Sequence, residues 1–341
     1  MGLLRWLKDR FLPKFTIPEQ KVRWVVGFDP FTGRVLGPKY PADPVGCPQA
    51  RLTKQDLLKR LNLNNIELCL QVRGVNPSNT TTLEPHLIPT GYVWHKIPKR
   101  TGGTRLLHSP NPRLKALQRL LLRRVFQRLS VHPAVKGFRC GESTFSHARL
   151  HVGKAVVVRI DVKSFFPKTS PERVFNYFCM IGWDRETAGL LTILCTFKKR
   201  LPQGAPTSPI LSNLVNYRMD ARLTGLATKS KATYSRYADD IIFSFDEDNR
   251  QFIRGVIRRV VKILNDFGYQ MNRAKLRVMR QHNRQVITGL VVNKKVQLPR
   301  KIRRWLRAVE HHIKTGKAAT LTSKQLQGWK AYQQMIVQQN K

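Results

Sequence analysis

Two adjacent aspartates, Asp239 and Asp240, stand between two runs of alternating apolar residues in the stretch TYSRYADDIIFSF. The alternation predicts a β-hairpin with strands at residues 234–237 and 241–245 and with both carboxylates at its turn. A third aspartate, Asp161, ends the apolar run KAVVVRID, which predicts a buried strand. Carboxylates fixed at strand ends suit a hard cation, so the three predict a site for two Mg²⁺ ions, or Mn²⁺, and phosphoryl transfer.

The charge of the chain favours a polyanionic partner. The 341 residues include 62 Lys and Arg against 20 Asp and Glu, a formal net charge of +42 at pH 7. No acid lies between Glu84 and Glu142, and only Glu310 follows Asp266. A lone strand-end Asp is usually a cap or a surface acid, and an Asp-Asp pair is usually a turn. In so basic a chain, their combination favours a metal site that acts on nucleic acid, and an anionic membrane surface is the less economical partner.

Other features of the composition limit the class of protein to which the chain can belong. A hydrophobic content of 41% predicts a folded chain, and no run of apolar residues is long enough for a transmembrane span. The basic start lacks the long apolar stretch of a signal peptide. The five cysteines are scattered without a CxxC pair, which is typical of a reduced, cytoplasmic protein without structural zinc.

The remaining pattern predicts the elements that position the aspartates. GYVWHKIPKRTGGTRLLHSP alternates like a hairpin around Gly102-Gly103, and SPERVFNYFCM predicts a helix with Ser170 as its N-cap. SPILSNLVNYRMDARL repeats this Ser-Pro entry at Ser208, and FIRGVIRRVVKILNDFGY predicts a helix that ends at Gly268.

Three residues between these elements could contact a nucleotide. Phe166 follows the strand that ends at Asp161, and its ring could exclude a ribose 2′-hydroxyl and select deoxynucleotides; a core role is the alternative. In LPQGAPTSPILSNL, Gly204 would let the backbone approach a base pair and Gln203 would reach a sugar or a base. The alternative for these two is an ordinary helix-entry loop.

The segments RIDVKSFFP, LPQGAPTSP, YSRYADDIIFS, GYQMNRAKLRV and ITGLVVN stand in the order of the reverse transcriptase blocks. Over about residues 96–293 the chain therefore resembles that family. The resemblance implies an α+β right-hand polymerase with fingers, a palm built on an antiparallel sheet and a small helical thumb. It also implies that Asp161, Asp239 and Asp240 are the catalytic metal ligands.

The same resemblance implies further contacts. Phe166 would be the sugar gate, and Gln203 and Gly204 would line the nucleotide pocket. Three cations would lie near the triphosphate: Lys275, Arg105 and Lys99. Thr288 and Gly289, in ITGLVVN, would form the primer grip.

Three regions follow from these assignments. We expect a basic N-terminal extension with a Gly/Pro-rich loop at 1–54, fingers and palm at 55–293, and a basic helical thumb at 294–341. In RKIRRWLRAVE, five cations would line one helix and contact RNA phosphates: Arg300, Lys301, Arg303, Arg304 and Arg307. Trp305 or Trp329 could stack on a base, with a core role as the stronger alternative.

Among reverse transcriptases the chain is most similar to the retron enzymes. The stretch HARLH and Ile287-Thr288-Gly289 resemble two retron blocks, with His147 in place of Asn and Ile287 in place of Val; for His151 a satisfied buried histidine is the alternative. The resemblance implies a dedicated non-coding RNA as template and primer, dNTP substrates and a DNA product that stays joined to RNA (msDNA). It also implies a separate effector protein in anti-phage defence. Because the acid-poor tail cannot supply the cluster of carboxylates that an RNase H site needs, a host ribonuclease would remove the template.

Other functions stay open. A standalone defence-type enzyme or a group II intron-like reverse transcriptase would share the same aspartates. An RNA-dependent RNA polymerase is disfavoured by Phe166 and by the YADD context. A catalytically silent RNA-binding scaffold, the alternative from a different class, would have no reason to keep Asp161, Asp239, Asp240 and Gln203 together.

Overall fold

The computed structural model describes residues 52–64, 91–98 and 102–340, and it gives the backbone of two short strands, β1 (Gly27–Phe28) and β2 (Val35–Leu36). These two strands pair with each other in antiparallel fashion. The predicted extension at 1–54 falls almost entirely outside the described residues, and Lys99 lies outside them as well.

Eight α-helices and one hairpin are described between Lys54 and Asp266 outside the central sheet. Helix α1 (Lys54–Leu61) begins at Thr53, which forms a capping box with Asp56. Strands β3 (Tyr92–Pro98) and β4 (Thr104–Pro110) pair antiparallel, which confirms the hairpin predicted around the two glycines. The helices that follow are α2 (Pro112–Arg124), α3 (Thr144–Arg149), α4 (Pro171–Met180), α5 (Arg185–Cys195), α6 (Ser208–Leu214), α7 (Tyr217–Lys229) and α8 (Arg250–Asp266).

A four-stranded antiparallel sheet lies at the centre of the described chain, in the order β6-β7-β5-β8. Its strands are β5 (Val156–Asp161), β6 (Ala232–Tyr237), β7 (Asp240–Phe245) and β8 (Arg277–Arg280). The strand predicted before Asp161 and the hairpin predicted around the paired aspartates are both confirmed, and so are the α+β class and the antiparallel sheet.

Alternate residues of the sheet face two separate cores. Val158 packs with α7 and α8 on one face. Val157 and Ile242 pack on the other face with α3 and with the part of the chain that follows β8. The strand period of two places Asp161 on the face of Val157 and Asp240 on the face of Ile242. Both carboxylates therefore lie on the face of the sheet away from α7 and α8.

One predicted helix is two helices in the structure. SPILSNLVNYRMDARL forms α6, with Thr207 rather than Ser208 at the N-cap, and then α7, with Asn216 between them. The Nδ2 atom of Asn216 donates to the carbonyl oxygen of Ser212 at 2.7 Å and to Tyr269 Oη at 3.0 Å. An Asn side chain that bonds the backbone in this way competes with the helical ladder, which explains the break.

The chain ends in a short hairpin and two helices. These elements are β9 (Val286–Ile287), β10 (Leu290–Val291), α9 (Arg300–Lys314) and α10 (Ser323–Gln339). Leu306 and Val309 of α9 are buried, and the Trp305 ring packs edge-on against Trp329 with centroids 6.1 Å apart. The core role therefore accounts for both tryptophans. Within the described ranges, no helix is long and apolar enough to cross a membrane.

Candidate active site

The three aspartates meet at one end of the four-stranded sheet. Asp161 is the last residue of β5 and pairs in register with Asp240, the first residue of β7. The turn between β6 and β7 consists of Ala238 and Asp239, and Ala238 has a φ of +56°. The sequence predicted both carboxylates at the turn, but only Asp239 lies there. Asp240 belongs to β7, because it is paired across the ladder with both Asp161 and Tyr237.

Two of the carboxylates form ion pairs. Lys275 Nζ donates to Asp161 Oδ2 at 2.9 Å. Arg159 donates to both oxygens of Asp240, from Nε and from Nη2, each at 2.9 Å. Arg159 precedes Asp161 by two residues on β5, so both side chains leave the same face of the sheet. Within the described ranges Asp239 has no ion pair.

The carboxylates destabilise one another as anions. Burial raises the pKa of Asp239, and the adjacent charge of Asp240 raises it further. Burial also raises the pKa of Asp240, against the opposing charge of Arg159. A partly desolvated cluster of like charges is the electrostatic arrangement that a cation relieves, and such shifts are concentrated at functional sites.

The donor set fits a hard divalent cation, since carboxylate oxygens are the ligands that Mg²⁺ and Mn²⁺ prefer. As the side chains stand, no group of three His, Cys, Asp or Glu within the described residues is arranged to hold a metal ion. Instead, Lys275 binds one oxygen of Asp161, and Arg159 binds both oxygens of Asp240. A metal ion would compete with these two cations for the same oxygens.

A buried cation supports the turn from inside the protein. Arg236 on β6 and Asp220 on α7 are fully buried and form a bidentate pair with two nitrogen–oxygen distances of 2.7 Å. The third guanidinium nitrogen, Nη1, donates to the carbonyl oxygen of Ala238 at 3.0 Å and to Asn213 Oδ1 at 3.2 Å. The residue immediately before Asp239 is therefore fixed by a charged group.

A further segment, residues 134–138 (the flanking segment), runs beside β6. Arg236 N donates to the carbonyl oxygen of Ala134 at 3.0 Å, and Lys136 N donates to that of Arg236 at 2.8 Å. Gly137 lies directly against the turn, because a Cβ there would be 2.8 Å from Ala238 N. The segment thus continues the sheet edge up to the turn that carries Asp239.

Phe166, the predicted sugar gate, lies between the helical core and the sheet core and is half-buried. Its ring centroid is 5.9 Å from that of Phe165 and 6.2 Å from that of Phe138. Phe165 is buried, so it is the core residue of the pair, and Phe166 keeps a partly exposed ring.

The predicted nucleotide-pocket loop contacts the β3–β4 hairpin. The carbonyl oxygen of Gln203 accepts a hydrogen bond from His108 N at 2.7 Å. Gly204 has a φ of +121°, and a Cβ there would be 2.9 Å from the carbonyl oxygen of His108. The close approach that requires glycine is thus to the protein backbone of β4, and a contact with the nucleotide stays a prediction.

The other predicted residues lie at two hairpins. Arg105 is exposed on β4, opposite Ile97. Thr288 and Gly289 form the two-residue turn between β9 and β10, with φ of +45° and +85°, as a type I′ turn requires. Thr288 Oγ1 donates to the carbonyl oxygen of Thr144 at 3.2 Å, which holds this turn against α3.

The five predicted RNA contacts are all exposed on α9. Four of them share one face at helical spacing: Arg300, Arg303, Arg304 and Arg307. Lys301 leaves the helix about 100° away from Arg300, so it lies at the side of this face. All five therefore lie on the predicted helix, and their contact with RNA stays a prediction.

Two histidines lie behind the β6–β7 hairpin. His151 is fully buried, with Nδ1 2.7 Å from Ser244 Oγ and Nε2 2.7 Å from Ser235 Oγ, so it connects β7 to β6. His147 is also fully buried, and among the described residues neither of its ring nitrogens has a hydrogen-bond partner. Burial lowers the pKa of His151 to about 3 and that of His147 to about 4, which keeps both rings neutral. The buried-histidine alternative accounts for His151.

Sequence reasoning missed the residues that support the turn. Arg236 stands inside the stretch YSRYADD at a buried position of its strand, and this charged residue at a core position was the available signal. Its partner Asp220 and the flanking glycine, Gly137, have no comparable signal, because only tertiary structure brings them to β6. Arg159 was visible as the residue two before Asp161.

The comparisons with known proteins agree with this geometry. Residues 97–327, more than half of the chain, match the family model described as "Reverse transcriptase (RNA-dependent DNA polymerase)". The chain is 38% identical to the retron Mx65 reverse transcriptase of Myxococcus xanthus over 72% of this chain and 61% of that relative. It is 33% identical to the retron Ec86 reverse transcriptase of Escherichia coli over 67% of this chain and 70% of that relative.

The chain thus spans less than two thirds of the length of the Myxococcus relative. Among solved structures, telomerase from Candida albicans in complex with a fragment of telomeric RNA matches with a TM-score of 0.45 and 12% identity. That match covers 64% of this chain and 50% of the telomerase chain, and a likeness at this level supports no inference about function.

Proposed function

Because the chain belongs to the reverse transcriptase family, and within it to the retron reverse transcriptases, we propose that it is an RNA-directed DNA polymerase of retron type. The right-hand polymerase fold of that family has the antiparallel sheet that carries the three aspartates here. The observation that supports the proposal most directly is the pairing of Asp161 with Asp240, which brings two distant parts of the sequence together at one sheet end.

In this proposal Asp161, Asp239 and Asp240 hold two divalent cations, Mg²⁺ or Mn²⁺. When bound, such ions would supply a lower pKa for a primer hydroxyl and positive charge for the triphosphate oxygens. Arg159 orients Asp240 through its two hydrogen bonds. The Lys275 side chain is 56% exposed, so after release from Asp161 it is free to contact the triphosphate.

The proposed substrates are deoxynucleoside triphosphates. Phe166 would exclude the 2′-hydroxyl of a ribonucleotide, and its half-buried position between two cores supports this by limiting movement of the ring. Gln203 and Gly204 would line the nucleotide pocket, where their loop is fixed to β4 through His108. Arg105 and Lys99, from the β3–β4 hairpin region, would contact the triphosphate.

The proposed partner is a dedicated non-coding RNA that serves as template and primer. Fingers and palm would occupy 55–293, and the thumb at 294–341 would place the basic face of α9 on RNA phosphates. Thr288 and Gly289 would position the primer end. The product would be RNA-linked DNA, with template removal by a host ribonuclease and a separate effector protein acting in anti-phage defence.

Expression of the chain with the DNA that flanks its gene tests the proposal. The purified protein is treated with RNase, with DNase or with neither, and its bound nucleic acid is analysed on a denaturing gel. One discrete RNA-linked DNA is expected from the wild type and none from Asp239→Ala. Asp246→Ala, at the other end of β7, is the matched control and should behave as the wild type does. Heterogeneous RNA alone, identical in all samples, would contradict the proposal and favour a silent RNA-binding scaffold.

A further inference from the structure

Phe138, at the end of the flanking segment, has an unfavourable backbone and an exposed ring. Its φ is +59°, a region that is sterically costly for a bulky residue. Its side chain is 43% exposed, so burial of the ring does not offset that cost. Strained residues are concentrated at active sites and ligand-binding positions.

The backbone that leads into Phe138 is held by several contacts. The hydrogen bonds to Arg236 fix the residues before it, and Gly137 lies in contact with Tyr237 and Ala238. The carbonyl oxygen of Gly137 also accepts a hydrogen bond of 2.9 Å from Asn213 Nδ2, which is fully buried. The strained conformation is therefore imposed by the same network that fixes the catalytic turn.

The ring of Phe138 lies beside the turn that carries Asp239. Its centroid is 6.3 Å from that of Tyr237 and 6.2 Å from that of Phe166, at interplanar angles of 45° and 32°. Tyr237 is two residues before Asp239, and Phe166 is the predicted sugar gate. These three rings, Phe138, Phe166 and Tyr237, form an aromatic wall next to the carboxylates, with Phe138 as its exposed member.

We propose that Phe138 is a nucleobase-stacking residue of the polymerase site. Every nucleobase has a flat apolar face, so an exposed aromatic ring beside the reacting carboxylates binds bases without regard to their sequence. The base is that of the incoming nucleotide or that of the adjacent template strand, since both have this chemistry. The inference rests on the proposed polymerase function and adds a substrate contact to it.

The test uses the full chain with an RNA template annealed to a DNA primer, and it compares Phe138→Ala with Phe252→Ala. Phe252 is also 43% exposed but lies on α8, behind the sheet, which makes it a matched control. Three quantities are measured: kcat and KM for the complementary dNTP, and Kd for the primer–template. Phe138→Ala should raise the KM or the Kd by about 5- to 100-fold, whereas Phe252→Ala should change neither.

The parameter that changes identifies the base. A rise in KM alone assigns the stacking to the incoming nucleotide, and a rise in Kd alone assigns it to the template. Phe138→Trp should restore both values, and Phe138→Gly, which removes the ring and the backbone strain together, should reproduce the loss even if Phe138→Ala folds poorly. Wild-type values in Phe138→Gly, or losses that Phe138→Trp does not restore, would overturn the inference.

The measurements distinguish failure of the stacking inference from failure of the proposed polymerase function. If the wild type extends the primer and Phe138→Gly does so with unchanged KM and Kd, only the stacking role is wrong. If the wild type adds no nucleotide and resembles Asp239→Ala, the polymerase function fails, and an unchanged Kd in Phe138→Gly then rejects the template contact as well.

Discussion

The Nη1 atom of Arg236 donates a 3.0 Å hydrogen bond to the carbonyl oxygen of Ala238, the residue next to Asp239. The other two guanidinium nitrogens are paired with Asp220 in the protein interior. One fully buried arginine thus connects a helix behind the sheet to the turn that carries a predicted metal ligand.

The contribution of Arg236 to fold stability can be measured separately from its role in positioning the turn. Asp220→Asn leaves the buried charge of Arg236 unpaired and should lower the free energy of unfolding by about 3–5 kcal/mol. The double variant Asp220→Leu, Arg236→Met removes both charges and should recover much of that loss, but it cannot donate to Ala238. We expect its single-turnover rate of nucleotide addition to stay low, as measured beside denaturant unfolding. A double variant that polymerises at the wild-type rate would show that the bond to Ala238 is dispensable.

The crowded carboxylates predict a stability change on metal binding. Burial and the charge of Asp240 raise the pKa of Asp239, so the metal-free site is strained by anionic repulsion at neutral pH and is relieved as the pH falls. Asp239→Asn should therefore melt a few degrees higher than the wild type in EDTA. Added Mg²⁺ should stabilise the wild type and have little effect on the variant. Asp246→Asn, which changes an exposed acid, is the control, and an equal response to Mg²⁺ in all three proteins would argue against the assigned ligands.

The close contact of Gly204 with β4 predicts that a larger residue at this position lowers the free energy of unfolding. Ala at Gly204 adds backbone strain and a contact of 2.9 Å with the carbonyl oxygen of His108, so the free energy of unfolding should fall by about 2 kcal/mol or more. Gly182 has a φ of +100° with no atom near the added Cβ, so Gly182→Ala measures the strain alone. Both are compared by denaturant unfolding. Equal losses would mean that the contact with β4 is not tight.

The buried histidines predict acid sensitivity. A histidine whose pKa is lowered in the folded state takes up a proton more readily when unfolded, so stability is full above about pH 6.5 and falls as the pH is lowered toward the folded values of about 4 for His147 and about 3 for His151. His147→Leu removes one such group, and its stability should decline less steeply between pH 7 and pH 5, by up to about 1.4 kcal/mol per pH unit. Unfolding curves at several pH values measure this, with the exposed His282→Gln as control. Parallel pH profiles for wild type and His147→Leu would contradict the expected coupling.

Phe166 predicts sugar selectivity. Phe166→Ala should admit ribonucleotides and reduce the preference for dNTP over rNTP by about tenfold or more, because a steric barrier to the 2′-hydroxyl is removed. Single-nucleotide incorporation with matched dNTP and rNTP measures the ratio, and Phe252→Ala again serves as control. A wild-type enzyme that already uses both sugars equally would end the assignment of Phe166 as a gate.

Much of the site could be predicted from the sequence because its signals are local. Alternation of apolar residues predicted both strands of the YADD hairpin, and a continuous apolar run predicted the strand before Asp161. The scarcity of acids made the three aspartates stand out. The Gly102-Gly103 hairpin and the helix that begins after Ser170 follow from turn chemistry and from Pro171 at the first helical position, both local signals.

The rest depends on contacts between distant parts of the chain. The pairing of Asp161 with Asp240, the ion pair of Arg236 with Asp220 and the approach of Gly137 to Ala238 each join segments that no local pattern relates. The break at Asn216 likewise depends on Tyr269, a residue from beyond the sheet. Local sequence sets which conformations a segment favours, and only the packed structure decides which side chains share a buried site, because charge pairing and steric fit are properties of the assembled core.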